Sequence, residues 1–111
     1  MIDKYKNAGL DYELIISKFP DNNDYEKIVK TYLEDPFFEQ LKDYLDDEDY
    51  ALAKDATKGL FILAQELYLY PLYIALMEIY EDIEEEIYND LINKYNQMYE
   101  IYKKIQGVFV C

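Results

Sequence analysis

Apolar residues recur along this chain at three- and four-residue spacing, and strict alternation of apolar and polar positions is not sustained anywhere. That period belongs to helices. Asp11 is a predicted N-cap for a helix over Tyr12 to Lys18, with Leu14 and Ile15 turned inward and Pro20 ending it. Asn23 or Asp24 is placed to cap the next helix, Tyr25 to Leu33, which carries Ile28, Val29, Tyr32 and Leu33. Asp35-Pro36 joins a capping carboxylate to a proline in the first helical position. It opens a helix with Phe38, Leu41, Tyr44 and Leu45 at helical spacing. Asp46 to Asp49 form an acidic turn, and negative charge suits the N-terminus of the helix that follows.

That central helix, Asp49 to Leu69, has two unlike apolar faces. Ala53, Ala56, Leu60, Leu63 and Leu67 form one stripe, expected to face the core. Lys54, Lys58, Phe61, Ile62 and Gln65 share the other face. Such a helix is either central in a bundle or presents a contact surface. Pro71 should start a new helix through about Asp82. Ile83, Ile87, Leu91, Tyr95, Met98, Tyr102 and Ile105 continue a stripe that Gly107 is expected to end. Glu84 to Glu86 read equally as a bend between two helices or as the exposed middle of one. Short connections favour antiparallel neighbours. The expected fold is therefore all-α, a single domain over residues 1–111, built as an up-down four-helix bundle with short N-terminal helices.

Composition narrows the chemistry. The formal net charge is -13, which disfavours nucleic acid and anionic lipid as partners and favours solubility or a basic partner. Fourteen tyrosines, 14 of 111 residues, are expected at the boundary of the core. There is no histidine, so imidazole acid–base catalysis, imidazole metal ligation and phosphohistidine chemistry are excluded within this chain. The single cysteine, Cys111, cannot form an intrachain disulfide, and a reducing cytoplasm is the simplest expected compartment. The N-terminal residues lack an apolar signal-peptide core, and no membrane span is expected. Asp46 to Asp49 lack the ligand pattern of a calcium loop, and Glu84 to Glu86 diverge on a helix, so neither metal nor cofactor is expected. No nucleophile–base set and no glycine-rich phosphate loop is present, and the chain is read as a non-enzyme.

The run Tyr32-Leu-Glu-Asp-Pro36-Phe-Phe38-Glu-Gln-Leu41, with Leu45, Asp49-Tyr50, Ala53 and Ala56, resembles the histidine-containing phosphotransfer (HPt) domains of bacterial phosphorelays. The likeness continues without gaps through Leu60, Ala64, Leu67, Leu69 and Pro71-Leu72-Tyr73. In this register Lys58 takes the place of the phosphorylated histidine, Phe61 that of the family lysine, Ile62 that of its glycine and Tyr68 that of a later turn glycine. A second register matches Lys58-Gly59 to the family's Lys-Gly and puts Asp55 at the histidine, but it needs three extra residues before Pro71. Both lack the phosphoacceptor. A lysine ammonium has no lone pair with which to attack an aspartyl phosphate.

The resemblance implies an HPt-like scaffold that has lost phosphotransfer. It also implies a signalling adaptor whose Lys54, Lys58, Phe61, Ile62 and Gln65 dock a response-regulator receiver or a histidine kinase domain. Two other roles fit the residues: a homo-oligomeric interaction protein on the same scaffold, and an acidic nucleic-acid mimic that binds a basic DNA-binding protein. Against receiver docking stands the plainer expectation that Phe61 and Ile62 are covered by the protein's own N-terminal segment or by a second copy of itself.

Overall fold

The computed structural model describes residues 2–109, with side chains from residue 3 onward. Cys111, and the reading attached to it, lies outside the described residues. Seven helices occur among them: α1 (Ile2–Asn7), α2 (Tyr12–Lys18), α3 (Asn22–Leu33), α4 (Phe37–Asp46), α5 (Tyr50–Glu66), α6 (Tyr70–Glu84) and α7 (Leu91–Phe109). No strand is present among the described residues. Helix α4 packs on α5, α5 on α6, α6 on α7, and α7 returns to α4. These four helices close a bundle, α3 lies against α7, and the molecule measures 41 × 22 × 20 Å. Consecutive helices that pack together through so few linking residues are antiparallel neighbours.

The helix starts follow local chemistry. The Asp11 carboxylate accepts from the Leu14 amide at 3.1 Å, and the Asp49 carboxylate from the Leu52 amide at 3.2 Å. Asp35 accepts from the Phe37 amide at 2.9 Å, so it caps α4 across Pro36. Between α2 and α3 the cap is Asp21, which accepts from both Asn23 and Asp24, in place of the expected Asn23 or Asp24. A carboxylate two residues before Asn23 reaches two orphan amides at once. Of the Glu84 to Glu86 run, Glu84 ends α6 and Glu85 and Glu86 begin the link to α7, so the chain bends there. Helix α7 runs through Gly107 to Phe109, so that glycine does not end it. Phe109 is buried against Tyr5 and Tyr25, ring centroids 5.3 and 5.9 Å away, and this packing outweighs the weak helix propensity of one glycine.

Four helix ends share one device. Leu10, Asp49, Leu69 and Ile87 donate backbone N–H groups to the carbonyls of Tyr5, Tyr44, Ala64 and Asp82, five residues back, at 2.8–2.9 Å. The residue before each donor is left-handed: Gly9, Glu48, Tyr68 and Glu86, at φ 78°, 57°, 59° and 57°. These are Schellman turns, three of them without glycine. A side chain in that conformation costs about 1–2 kcal/mol, of which glycine's greater unfolded-state freedom gives back part. Glu48→Gly and Glu86→Gly should each stabilise the fold by about 0.5–1 kcal/mol, read as a higher urea midpoint at unchanged slope. Tyr68→Gly should gain less, because its ring packs edge-on against Phe19 and Tyr70. A lower midpoint for Glu48→Gly would contradict this account.

Tyrosines stitch the core. Tyr25 donates its phenol to the Leu67 carbonyl, Tyr32 to Leu60 and Tyr95 to Phe38, each at 2.6 Å, and Tyr102 donates to Leu33. Leu33 ends α3 and Leu67 caps α5, so two of these phenols satisfy carbonyls at helix C-termini. Leu14 is only half-buried, and Ile28 and Ile87 are exposed, so the inward stripes are narrower than the sequence pattern suggests.

Candidate functional site

Helix α5 lies between α4 and α6. Its buried stripe is Ala53, Ala56, Thr57, Leu60 and Ala64, with Leu67 just beyond. Thr57 enters the core because its hydroxyl donates to the Ala53 carbonyl one turn back, leaving only its methyl to pack. Leu63, expected in this stripe, is instead 42% exposed, on the flank facing α3. Thr57 and Ala64, not Leu63, complete the inward face.

The opposite face divides into two parts. Lys54 pairs with Glu84 of α6 at 3.1 Å and lies 6.0 Å from the Tyr80 ring centroid. Tyr80 donates its phenol to the same Glu84 carboxylate at 2.8 Å. That hydrogen bond, and then the one from Lys54, holds the Glu84 carboxyl below its ordinary range, while the bond to Glu84 raises Lys54. Glu84 is exposed and Lys54 and Tyr80 are half-buried, all within reach of solvent, so the cluster orients side chains and adds little stability. Phe61 is half-buried edge-on against Tyr80 and Tyr73, at 5.1 and 6.0 Å. Within its own chain, Phe61 is thus partly covered by α6.

Lys58, Ile62 and Gln65 stay on open surface. Lys58 makes no ion pair or hydrogen bond among the described residues; its charge acts on Glu84, which Lys54 and Tyr80 hold. Beside it a Cβ on Gly59 would meet nothing within 4 Å. Ile62 is 40% exposed. The five expected residues thus form a packed half (Lys54 and Phe61) and an open half (Lys58, Ile62 and Gln65). Sequence reasoning missed Tyr80 and Glu84, whose four-residue spacing on α6 was the available signal.

Two further surfaces are evident. Tyr50 and Tyr88 stack face to face, centroids 3.8 Å apart and 2° from parallel. This joins the start of α5 to the α6–α7 link and gathers Asp46 to Asp49 and Glu84 to Glu86 at one end of the bundle. On the other flank, α3 stands beside α5 with a groove of about 560 Å³ between them, lined mostly by apolar side chains. Among the described residues, no three acidic or thiol side chains converge to hold a metal ion, and no helix is long and apolar enough to cross a membrane. No protein-family model, curated protein or solved structure matches this chain.

Proposed function

We propose that this protein is a non-catalytic, HPt-like signalling adaptor that docks a receiver or histidine kinase domain through the open half of the α5 face, without transferring phosphate. The observation that carries this reading is Lys58: a cation on a central helix, exposed, without an ion pair among the described residues, and flanked by the open surface at Gly59 and by Ile62. In the ungapped register Lys58 stands where the family carries its phosphoacceptor. The same register puts Tyr68 at a family turn glycine, and Tyr68 has the left-handed backbone that such a glycine would supply.

An ammonium cannot accept a phosphoryl group, but it complements carboxylates. The receivers that dock on the family this chain resembles have an acidic phosphoacceptor pocket, and Lys58 would enter it as a counter-charge. Ile62 would supply an apolar contact beside it. Docking of this kind occupies the receiver without discharging it.

The test is a calorimetric titration of the intact protein with isolated receiver and kinase domains from the source organism. At least one domain should bind. Lys58→Glu and Ile62→Asp should each weaken that binding by about tenfold or more. Ile74→Asp, at a site on α6 that is 55% exposed, should leave it unchanged. A phosphorylated receiver should retain its phosphoryl group in the presence of the protein. Failure of every domain to bind, or equal binding by Lys58→Glu, overturns the proposal.

A further inference from the structure

The groove between α3 and α5 is independent of the Lys58 face. Tyr25 of α3 bonds to Leu67 of α5, and Tyr32, seven residues on, bonds to Leu60, seven residues back, so the two helices run antiparallel. The phenols span the gap, and the space above them is the groove. Tyr32 and Leu67 form its floor, and Ile28 and Leu63 rise from its walls, 48% and 42% exposed. Two large aliphatic side chains facing one another across an apolar channel are a contact surface rather than scattered exposure.

The charges on the two walls identify the occupant. Lys27 lines the α3 wall and Glu66 the α5 wall. Neither makes an ion pair among the described residues. A two-fold axis running along the two grooves sets the α3 wall of each copy against the α5 wall of the other. Each lysine then faces a glutamate, and each aliphatic pair enters the opposite channel. A surface that complements itself in both charge and shape is what an isologous dimer requires.

The net charge of -13 opposes association at long range. Asp21, Asp24 and Glu26 lie near the α3 wall, but seven of the 24 acidic residues, Asp46 to Asp49 and Glu84 to Glu86, are gathered at the start of α5, whereas the groove is at Leu63 to Leu67. That separation is about 20 Å of helix, more than two screening lengths at physiological salt. We propose that the protein forms a two-fold dimer through the α3/α5 groove, with Lys27 of each copy meeting Glu66 of the other.

The experiment is sedimentation velocity on the intact protein over a range of concentrations at physiological salt. Wild type should show a concentration-dependent dimer. Leu63→Asp should raise the dissociation constant about thirtyfold or more, and Ile74→Asp should leave it unchanged. Lys27→Glu alone and Glu66→Lys alone should each dimerise weakly, since each places like charges opposite one another. Mixing the two single variants should restore dimers, because every contact in the mixed pair again joins opposite charges. Circular dichroism checks that each variant is folded, which exposed positions permit. A wild type that stays monomeric overturns the proposal. So does a dimer indifferent to Leu63→Asp, or a mixture no tighter than its components.

Discussion

Raising the pH above 10 should unfold this protein cooperatively, with a midpoint near pH ~11, while neutral and mildly alkaline solutions leave it intact. Burial pushes the Tyr5 and Tyr95 phenols from their ordinary value of 10 up to about 12, and nearby negative charge at Glu26 and Glu39 adds to this. Burial raises Tyr25, Tyr32 and Tyr102 as well. In the unfolded chain the same phenols ionise near 10. Above that value the unfolded state holds fewer protons than the native one, so stability is fully present below pH 10 and falls as the pH climbs through the folded values. Each retained proton contributes about 1.4 kcal/mol per pH unit, and five such phenols give a slope of up to about 7 kcal/mol per unit. A domain of this size is stable by only about 5–15 kcal/mol, so one pH unit removes much of it. Tyrosinate absorbance and far-ultraviolet circular dichroism, followed together, check this. The exposed phenols should titrate first and the buried ones together with loss of helix. A single titration near 10 with the helix intact would rule the account out.

Phe38→Ala should destabilise the fold by about 3–5 kcal/mol, whereas its neighbour Phe37→Ala should change stability by no more than about 0.5 kcal/mol. Phe38 is fully buried and Phe37 is 40% exposed. The Phe38 ring stacks on Tyr102 at 4.2 Å and meets Tyr32 edge-on at 5.3 Å. Its own carbonyl accepts the Tyr95 phenol. Removing the ring leaves a cavity bordered by two tyrosines whose hydroxyls are fixed to the Leu60 and Leu33 carbonyls. They cannot move in to fill it without giving up those bonds, so relaxation is limited and the cavity cost is large. Urea denaturation of both variants measures the contrast. Equal losses for Phe37→Ala and Phe38→Ala would mean that Phe38 is not the hub its contacts indicate.

Much of this architecture can be read from the sequence because local chemistry and global packing agree. Asp11, Asp35 and Asp49 cap where a short acceptor precedes an apolar period, and Pro71 sits in the first turn of α6. The turns were harder to read. Glu48, Tyr68 and Glu86 adopt a left-handed backbone that signals itself in sequence only when glycine occupies it. Leu63 has the spacing of a core residue, but α5 is flanked by α3 at a distance that tyrosine side chains bridge, so that flank stays open. Phe61 shares a face with Lys58, yet Tyr73 and Tyr80 cover it, and those partners come from another helix, which spacing along α5 does not encode. The candidate site was legible as a list of residues. Its division into a packed half and an open half was not.

The two phenol bonds between α3 and α5 make the position of α3 a stepwise variable. Carbonyls recur along a helix only at fixed intervals, so α3 would exchange both acceptors together only by moving a whole turn, about 5.4 Å. In the C-terminal direction there is nowhere to go. Leu67 is the C-cap residue of α5, and the chain beyond it has already turned at Tyr68. Helix α3 is thus clamped to α5 at two points and stopped at one end, and a displacement of α3 along α5 that keeps both bonds has to be a ratchet toward the start of α5 rather than a gradual slide.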